Sequence, residues 1–231
     1  MFNSVFNLLF PRKCPFCGKI LSEKAPVCSN CMMQLPFTGN KVCRVCGRPL
    51  AEFSHEVCPI CRNEKTYFEH SFVPLRYKGS ARDGAIALKG GHPYFSKGIA
   101  YLLADKILTS RHFTKFDFIT YVPQSPRSRR IRGYNQSELI AKELSKLLNV
   151  ECVATLIRTN DGEQQHTLNA ARRRENVKKC YFPKEMKGSG TILLVDDIYT
   201  TGATANYCSK LLLGMGYEKV YCAISMIKCD E

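Results

Sequence analysis

The sequence predicts an α/β fold: a parallel sheet covered by helices, preceded by a small cysteine-rich module. Three observations carry this. From residue 117 onward, strand-like apolar runs alternate with helical patterns, as in parallel strands joined by right-handed crossovers. One run, Ile192-Leu193-Leu194-Val195, ends in Asp196-Asp197 and leads through Thr200-Thr201-Gly202-Ala203-Thr204 into an apolar helical pattern over 205–213. Four Cys-x-x-Cys pairs fall before residue 62. The 231 residues are 45% hydrophobic, enough for one medium core and a small module. The expected boundaries are 1–66 for the module and 67–231 for the sheet domain. No stretch approaches the ~20 apolar residues of a membrane-spanning helix.

The first ten residues place Phe2, Val5, Phe6 and Leu9 on one helical face, widened by Leu8 and Phe10 and stopped before Pro11. This face either packs on the next module or, with Arg12 and Lys13, lies in a membrane interface. So short a helix is a weak anchor, which favours packing. Next come Cys14-x-x-Cys17, Cys28-x-x-Cys31, Cys43-x-x-Cys46 and Cys58-x-x-Cys61. Each pair can grip one side of a tetrahedral zinc ion through a tight turn, and Pro15, Gly18, Gly47 and Pro59 suit such turns. Sequential pairing gives one site from Cys14, Cys17, Cys28 and Cys31 and another from Cys43, Cys46, Cys58 and Cys61. The gaps of 10, 11 and 11 residues leave a crossed arrangement open. Four thiolates leave no position for substrate, so both zinc ions are expected to be structural. The other five cysteines are scattered. The first apolar stretch is short, and basic residues follow it rather than lead it, so no secretory signal is read. A reducing, cytoplasmic setting with bound zinc is expected instead of disulfides.

The second domain is expected to open with a strand over 70–77 and helices over 80–89 and 96–108, broken by Gly90-Gly91-His92-Pro93. His92 has no metal partner at ligand spacing and reads as a loop residue. A strand over 116–122 ends at Pro123. The loop that follows, 124–136, carries Arg127, Arg129, Arg130 and Arg132 with no acid before Glu138. A helix over 135–148 turns Ile140, Leu144, Leu147 and Leu148 to one side. A strand over 152–157, a polar loop over 158–168, a helix from Asn169 and a short strand over 180–182 lead to the central run. A strand over 219–226 closes the sheet.

Ligands of open α/β sheets bind outside the carboxyl ends of the strands. The chemistry at the end of the central run suits a sugar phosphate. Backbone N–H groups and a helix N-terminus attract phosphate, Gly202 allows close approach, and Thr200, Thr201 and Thr204 add hydroxyls. Asp196 and Asp197 can accept hydrogen bonds from ribose hydroxyls. The formal net charge is +14. Eight zinc-bound thiolates subtract eight charges and two zinc ions return four, which leaves +10. Such a surplus favours polyanions: nucleic acid or an anionic lipid surface. Arg127, Arg129, Arg130 and Arg132 can meet pyrophosphate, DNA phosphates or both, and Arg172, Arg173, Arg174, Lys178 and Lys179 form a second cluster. Either cluster can equally be a solvated face. Tyr134, Tyr199 and His166 can stack on bases or pack locally.

The central run resembles the phosphoribosyl-pyrophosphate motif of type I phosphoribosyltransferases over its whole length. The chain as a whole resembles the ComF family of competence proteins. The resemblance rests on Leu8-Leu9-Phe10-Pro11-Arg12-Lys13-Cys14-Pro15-Phe16-Cys17-Gly18, Tyr77-Lys78-Gly79, Leu88-Lys89-Gly90, Arg132-Gly133-Tyr134-Asn135-Gln136, the spacing of Gln165, Leu168, Arg172 and Asn176, and the central motif, in the family's order. It implies a double zinc ribbon fused to a phosphoribosyltransferase-like domain, phosphoribosyl pyrophosphate bound with Mg²⁺, and a role in bringing transforming single-stranded DNA into competent bacteria. A competence helicase-like ATPase is the implied protein partner. A location in the cytoplasm follows, with peripheral contact at the inner membrane face through the N-terminus as a variant. In 6-oxopurine phosphoribosyltransferases an acid stands immediately before the Thr-Gly pair. Here that position is Thr200 and no general base is visible, so catalysis stays open. The alternatives are an active phosphoribosyltransferase of nucleotide metabolism and a ligand-sensing regulator.

Overall fold

The computed structural model describes residues 13–21, 26–51, 55–159, 177, 179–185 and 187–229. The helix expected over 1–10, His166, the helix expected from Asn169, Arg172, Arg173, Arg174 and Lys178 lie outside the described residues. The described elements are α1 (Ser29–Gln34), α2 (Pro59–Asn63), β1 (Ser71–Phe72), β2 (Leu75–Arg76), α3 (Gly79–Lys89), α4 (Phe95–Leu108) and β3 (Phe118–Tyr121). There follow α5 (Pro126–Arg132), α6 (Gln136–Leu148), β4 (Glu151–Cys152), β5 (Leu156–Arg158), β6 (Tyr181–Pro183), β7 (Thr191–Tyr199), α7 (Ala203–Gly214) and β8 (Lys219–Ile227).

The main sheet has the order β1-β8-β7-β3-β4, with β2 also on β8, and every pair in it is parallel. The central run lies in the middle of this sheet, and its side chains alternate between two cores. Leu193 and Val195 join Ile99, Leu103 and Ile107 of α4 and Ile140 and Leu144 of α6 on one side. Ile192 and Leu194 join Cys208 and Leu212 of α7, and Met215 just beyond it, on the other. A strand buried on both faces reads as a continuous apolar run, as this one does.

Four local expectations need correction. The central strand does not stop at Val195: its pairing with β3 ends at Tyr121–Val195, but pairing with β8 continues to Tyr199–Ile227. The expected strand over 70–77 is two short pieces, because Pro74 has no N–H to give a ladder. The carbonyls of Val73 and Pro74 instead take the Thr38 hydroxyl at 2.7 Å and the Thr38 N–H at 2.9 Å. The expected strand over 152–157 divides as well. Only Glu151–Cys152 pairs with β3, while Leu156–Arg158 turns away to form a separate antiparallel ribbon with β6. Finally, the arginine segment is not all loop. Ser125 caps α5 by accepting the Ser128 N–H at 3.2 Å, and Pro126 occupies the first turn, where its missing N–H costs nothing.

The cysteine-rich segment closes the β1/β2 edge. The Ser71 N–H donates to the Val45 carbonyl and the Arg76 N–H to the Pro36 carbonyl, both at 2.8 Å, and Phe37 bridges Leu75 antiparallel. Covering an edge in this way removes a template for unwanted pairing. The segment also enters both cores: Cys14, Val27 and Cys31 belong to the α4/α6 side, and Cys43, Cys46 and Cys58 to the α7 side. Gly98 of α4 permits the first of these contacts, since a Cβ there would run into the Pro15 ring. Replacing Gly98 by Ala is expected to cost about 1–3 kcal/mol through overpacking. Gly214→Ala, at a position with nothing near its absent Cβ, should be neutral or stabilising by up to about 1 kcal/mol. Denaturant titration of both variants checks this; equal stability would mean that α4 and the Pro15 knuckle are not in contact.

Candidate functional site

Asp196 lies one residue beyond the point where β3 stops pairing, and is 8% exposed. Its Oδ1 accepts the Ser137 hydroxyl at 3.2 Å and the Asp197 N–H at 2.9 Å. Ser137 sits in the first turn of α6, which Asn135 caps by accepting the Ser137 N–H at 3.0 Å. Asp197 is half-buried. Its Oδ1 accepts the Ile198 N–H at 2.7 Å, and its Oδ2 forms an ion pair with Lys89 Nζ at 3.1 Å. Burial, and next the Asp197 charge, push the Asp196 carboxyl up to about 7, against the lowering effects of the Asp197 N–H, Ser137 and Lys89.

The chain then passes from the strand into α7 through the predicted loop. Gly202 takes φ +77°, a conformation that favours glycine, and a Cβ there would collide with the Tyr199 ring. The Thr201 hydroxyl accepts the Ala203 N–H at 3.4 Å. Gly202, the N-cap of α7, has no side chain to cap it, and the first turn contains no acid. Such a helix start offers its remaining N–H groups and a positive dipole end to an anion. Thr200, Thr201, Gly202, Ala203 and Thr204 line a small depression together with Asp196 and Ile198. Six of the seven residues expected to hold a sugar phosphate line this depression; the seventh, Asp197, does not line it and faces Lys89 instead.

The four arginines do not act as one group. Arg127 and Arg130 are exposed. Arg129 reaches Glu138 at 3.5 Å, where Lys142 also pairs at 2.7 Å. Arg132 lies 3.4 Å from Gln136 Oε1, so Arg129 and Arg132 contact the residues on either side of Ser137, whose hydroxyl bonds to Asp196. Tyr199 is 7% exposed, with its ring against Gly202, and the Tyr134 hydroxyl bonds to the Leu88 carbonyl. Ser137 and Lys89 are site residues that no sequence pattern marks as such, although Lys89 offers a faint signal. Its signal was its place in the last turn of α3, just before Gly90-Gly91.

The cysteines pair sequentially. The Sγ atoms of Cys14, Cys17, Cys28 and Cys31 lie within 4.8 Å of one another, and so do those of Cys43, Cys46, Cys58 and Cys61. The Cys17–Cys28 and Cys46–Cys58 sulfur separations are both 3.7 Å. A tetrahedron with Zn–S bonds of about 2.3 Å has edges of about 3.8 Å, so both donor sets fit zinc and leave no open position. The crossed arrangement is excluded by this geometry. At the other site the donors are carboxylate oxygens, which suit Mg²⁺; Asp196 and Asp197 are the residues that would hold it.

Elemental analysis of reduced protein should find two zinc ions per chain. Cys17→Ser should unfold the first cluster, because structural zinc sites supply folding energy directly; one zinc or none in the unaltered protein would contradict the two-site arrangement. The carboxyl pair makes a separate, pH-dependent prediction. A carboxyl raised in the folded state binds a proton that the unfolded state releases, so stability falls as pH rises from about 4 through about 7. Asp196→Asn keeps the shape and the acceptor oxygen but removes the charge. Its melting temperature should match the unaltered protein near pH 4 and exceed it by a few degrees at pH 8. A constant difference across that range would contradict the raised carboxyl.

A family model described as "Double zinc ribbon domain" matches residues 5–66. Competence protein F of Haemophilus influenzae is 36% identical over 93 residues, which is 38% of this chain and 41% of that protein. DNA utilization protein YhgH of Escherichia coli O157:H7 is 34% identical over 134 residues, 55% of this chain and 59% of that protein. Competence protein ComFC of Bacillus subtilis is 29% identical over 125 residues, 53% of this chain and 48% of that protein. The chain thus spans about half the length of the curated relatives it matches. Among solved structures, adenine phosphoribosyltransferase of Leishmania tarentolae aligns with 55% of each chain at 18% identity and a TM-score of 0.35. A glutamine phosphoribosylpyrophosphate amidotransferase from B. subtilis aligns with 56% of this chain and 26% of its own, at 18% identity and a TM-score of 0.38. By sequence, the chain is a relative of proteins named Competence protein F, ComFC and YhgH, and it carries a double zinc ribbon ahead of a mostly parallel α/β sheet.

Proposed function

We propose that this protein handles incoming single-stranded DNA in natural transformation and that its sheet carries a phosphoribosyl-pyrophosphate site. The observation that supports the second half is the meeting of Asp196 and the 200–204 loop in one depression at the open end of β7, with Asp197 next to it in the strand. In this reading the loop and the start of α7 take the 5-phosphate, and the two carboxylates take the ribose hydroxyls. Mg²⁺ bound with the ligand would offset the pyrophosphate charge beside Asp196 and Asp197. Lys89, paired with Asp197 at 3.1 Å, and Arg132, beside Gln136, are cations suited to the pyrophosphate. The DNA half draws support from the relatives' names and from the net charge of +14. Each cysteine cluster holds one structural zinc in a reducing compartment, consistent with thirteen cysteines that form no disulfide. Among the described residues no helix is long and apolar enough to cross a membrane. The domain boundary we propose remains residue 66/67.

Transfer of the ribose phosphate to a base is a second reading, favoured by one observation. An Asp196 carboxyl near pH 7 is poised to exchange a proton at physiological pH. Pyrophosphate release with one defined base would favour this reading over a binding-only site.

The test is Asp196→Asn combined with Asp197→Asn. Each change keeps size and removes a charged acceptor that contributes roughly 1.5–3 kcal/mol per hydrogen bond. Calorimetry should show phosphoribosyl-pyrophosphate affinity falling by about two orders of magnitude or more. Single-stranded DNA affinity should stay the same or rise, since two negative charges are gone. It should also fall steeply with salt, with a slope near −0.7 per phosphate contacted. Undiminished ligand binding by a folded double variant would place the site elsewhere, and DNA binding that is absent at low salt or indifferent to salt would remove the basis of the DNA reading.

A further inference from the structure

A cavity of about 240 Å³ lies between the second zinc ribbon and α7. It shares Tyr199, Thr201, Gly202 and Ala203 with the phosphate depression but not Asp196. The cavity therefore adjoins the phosphate loop without being part of the acid site. Its other walls include Ile60 and Glu64 from the ribbon and Tyr67, Tyr207 and Lys210 around the mouth. The wall is built firmly. Asn206 of α7 accepts the Tyr67 N–H on Oδ1 at 2.7 Å and donates from Nδ2 to the Lys65 carbonyl at 2.9 Å. The ammonium groups of Lys65 and Lys210 lie 5.3 Å and 5.5 Å from the Tyr67 ring centroid. Ile60 is 47% exposed.

We propose that this cavity binds a nucleobase, with Tyr67 and Tyr207 as stacking faces and Lys65 and Lys210 meeting the flanking phosphate. The proposal rests on the DNA-handling reading. Aromatic rings beside cations are the combination that holds single-stranded nucleic acid without reading its sequence. The volume lies below the 300–1,000 Å³ typical of drug-sized ligands, which suits one planar ring. Glu64 on the wall disfavours a bare phosphate. Because the cavity and the phosphate depression share four residues, a base seated here contacts the same loop that would hold a 5-phosphate.

The chain contains no tryptophan, so Tyr67→Trp creates a single fluorescent reporter. A short oligothymidine strand should quench it, whereas an abasic strand of equal length should bind through charge and leave it bright. Thymidine monophosphate forms the second arm. Quenching by the strand alone identifies DNA as the source of the base, and quenching by both at similar concentrations identifies free nucleotide. In anisotropy titrations Tyr67→Ala should lower strand affinity about tenfold with the salt slope unchanged, and Tyr67→Phe should keep it. Lys210→Ala should flatten the slope by about 0.7, one phosphate contact. Strand binding at full affinity in Tyr67→Ala, or no quenching of Tyr67→Trp by either ligand, overturns the cavity and leaves the DNA reading intact. If the unaltered protein binds no strand at all, the DNA reading falls, and quenching by the mononucleotide alone then decides the cavity.

Discussion

The site depends on where β3 stops. β7 is hydrogen-bonded on both sides as far as Val195 and on one side only from Asp196 to Tyr199. That one-sided stretch lets other segments reach the strand from the open flank. The start of α6 brings Ser137, the end of α3 brings Lys89, and the chain itself turns at Gly202 into α7. Two adjacent carboxylates in a nearly buried setting are electrostatically costly. The cost is visible in the raised Asp196 carboxyl, and Lys89 and the local N–H donors offset part of it. The ligand proposed for this flank, with its hydroxyl donors and accompanying cation, would relieve that repulsion.

The cysteine clusters matter to this site through packing rather than chemistry. β1 and β2 are two residues each, too short to hold an edge by themselves. The cysteine-rich segment supplies their outer partners and inserts one cluster into each core. The second cluster shares its core with Tyr199, whose ring lies against Gly202. Tyr199 thus belongs to the same core as the second cluster and also backs the 200–204 loop at Gly202. Burial holds the Tyr199 hydroxyl well above its usual range, so the ring remains a neutral packing element.

The sheet and the motif were legible because each left a local pattern: a doubly buried apolar run, paired acids, a Thr-Gly-rich turn, and cysteine pairs at ligand spacing. What escaped was set by partners distant in sequence. The extension of β7 through Asp196 and Asp197 depends on β8, whose register holds those acids in a strand despite their poor strand preference. Lys89 enters the site only because α3 ends opposite Asp197, which no periodicity reveals. The choice between sequential and crossed cysteine pairing also needed three dimensions, since the gaps are nearly equal. In contrast, α5 carried its own signal in Ser125-Pro126, outweighed in the sequence reading by the run of arginines.

The most direct measurement of the account is amide hydrogen exchange on the full-length, zinc-loaded protein, with and without phosphoribosyl pyrophosphate and Mg²⁺. The account predicts slowed exchange across 200–205 and at the start of α6, with no change in the β5–β6 ribbon, and loss of the effect when Mg²⁺ is withheld. Protection confined to other segments, or none at saturating ligand, would contradict the assignment of the strand-end acids and the 200–204 loop as the ligand site.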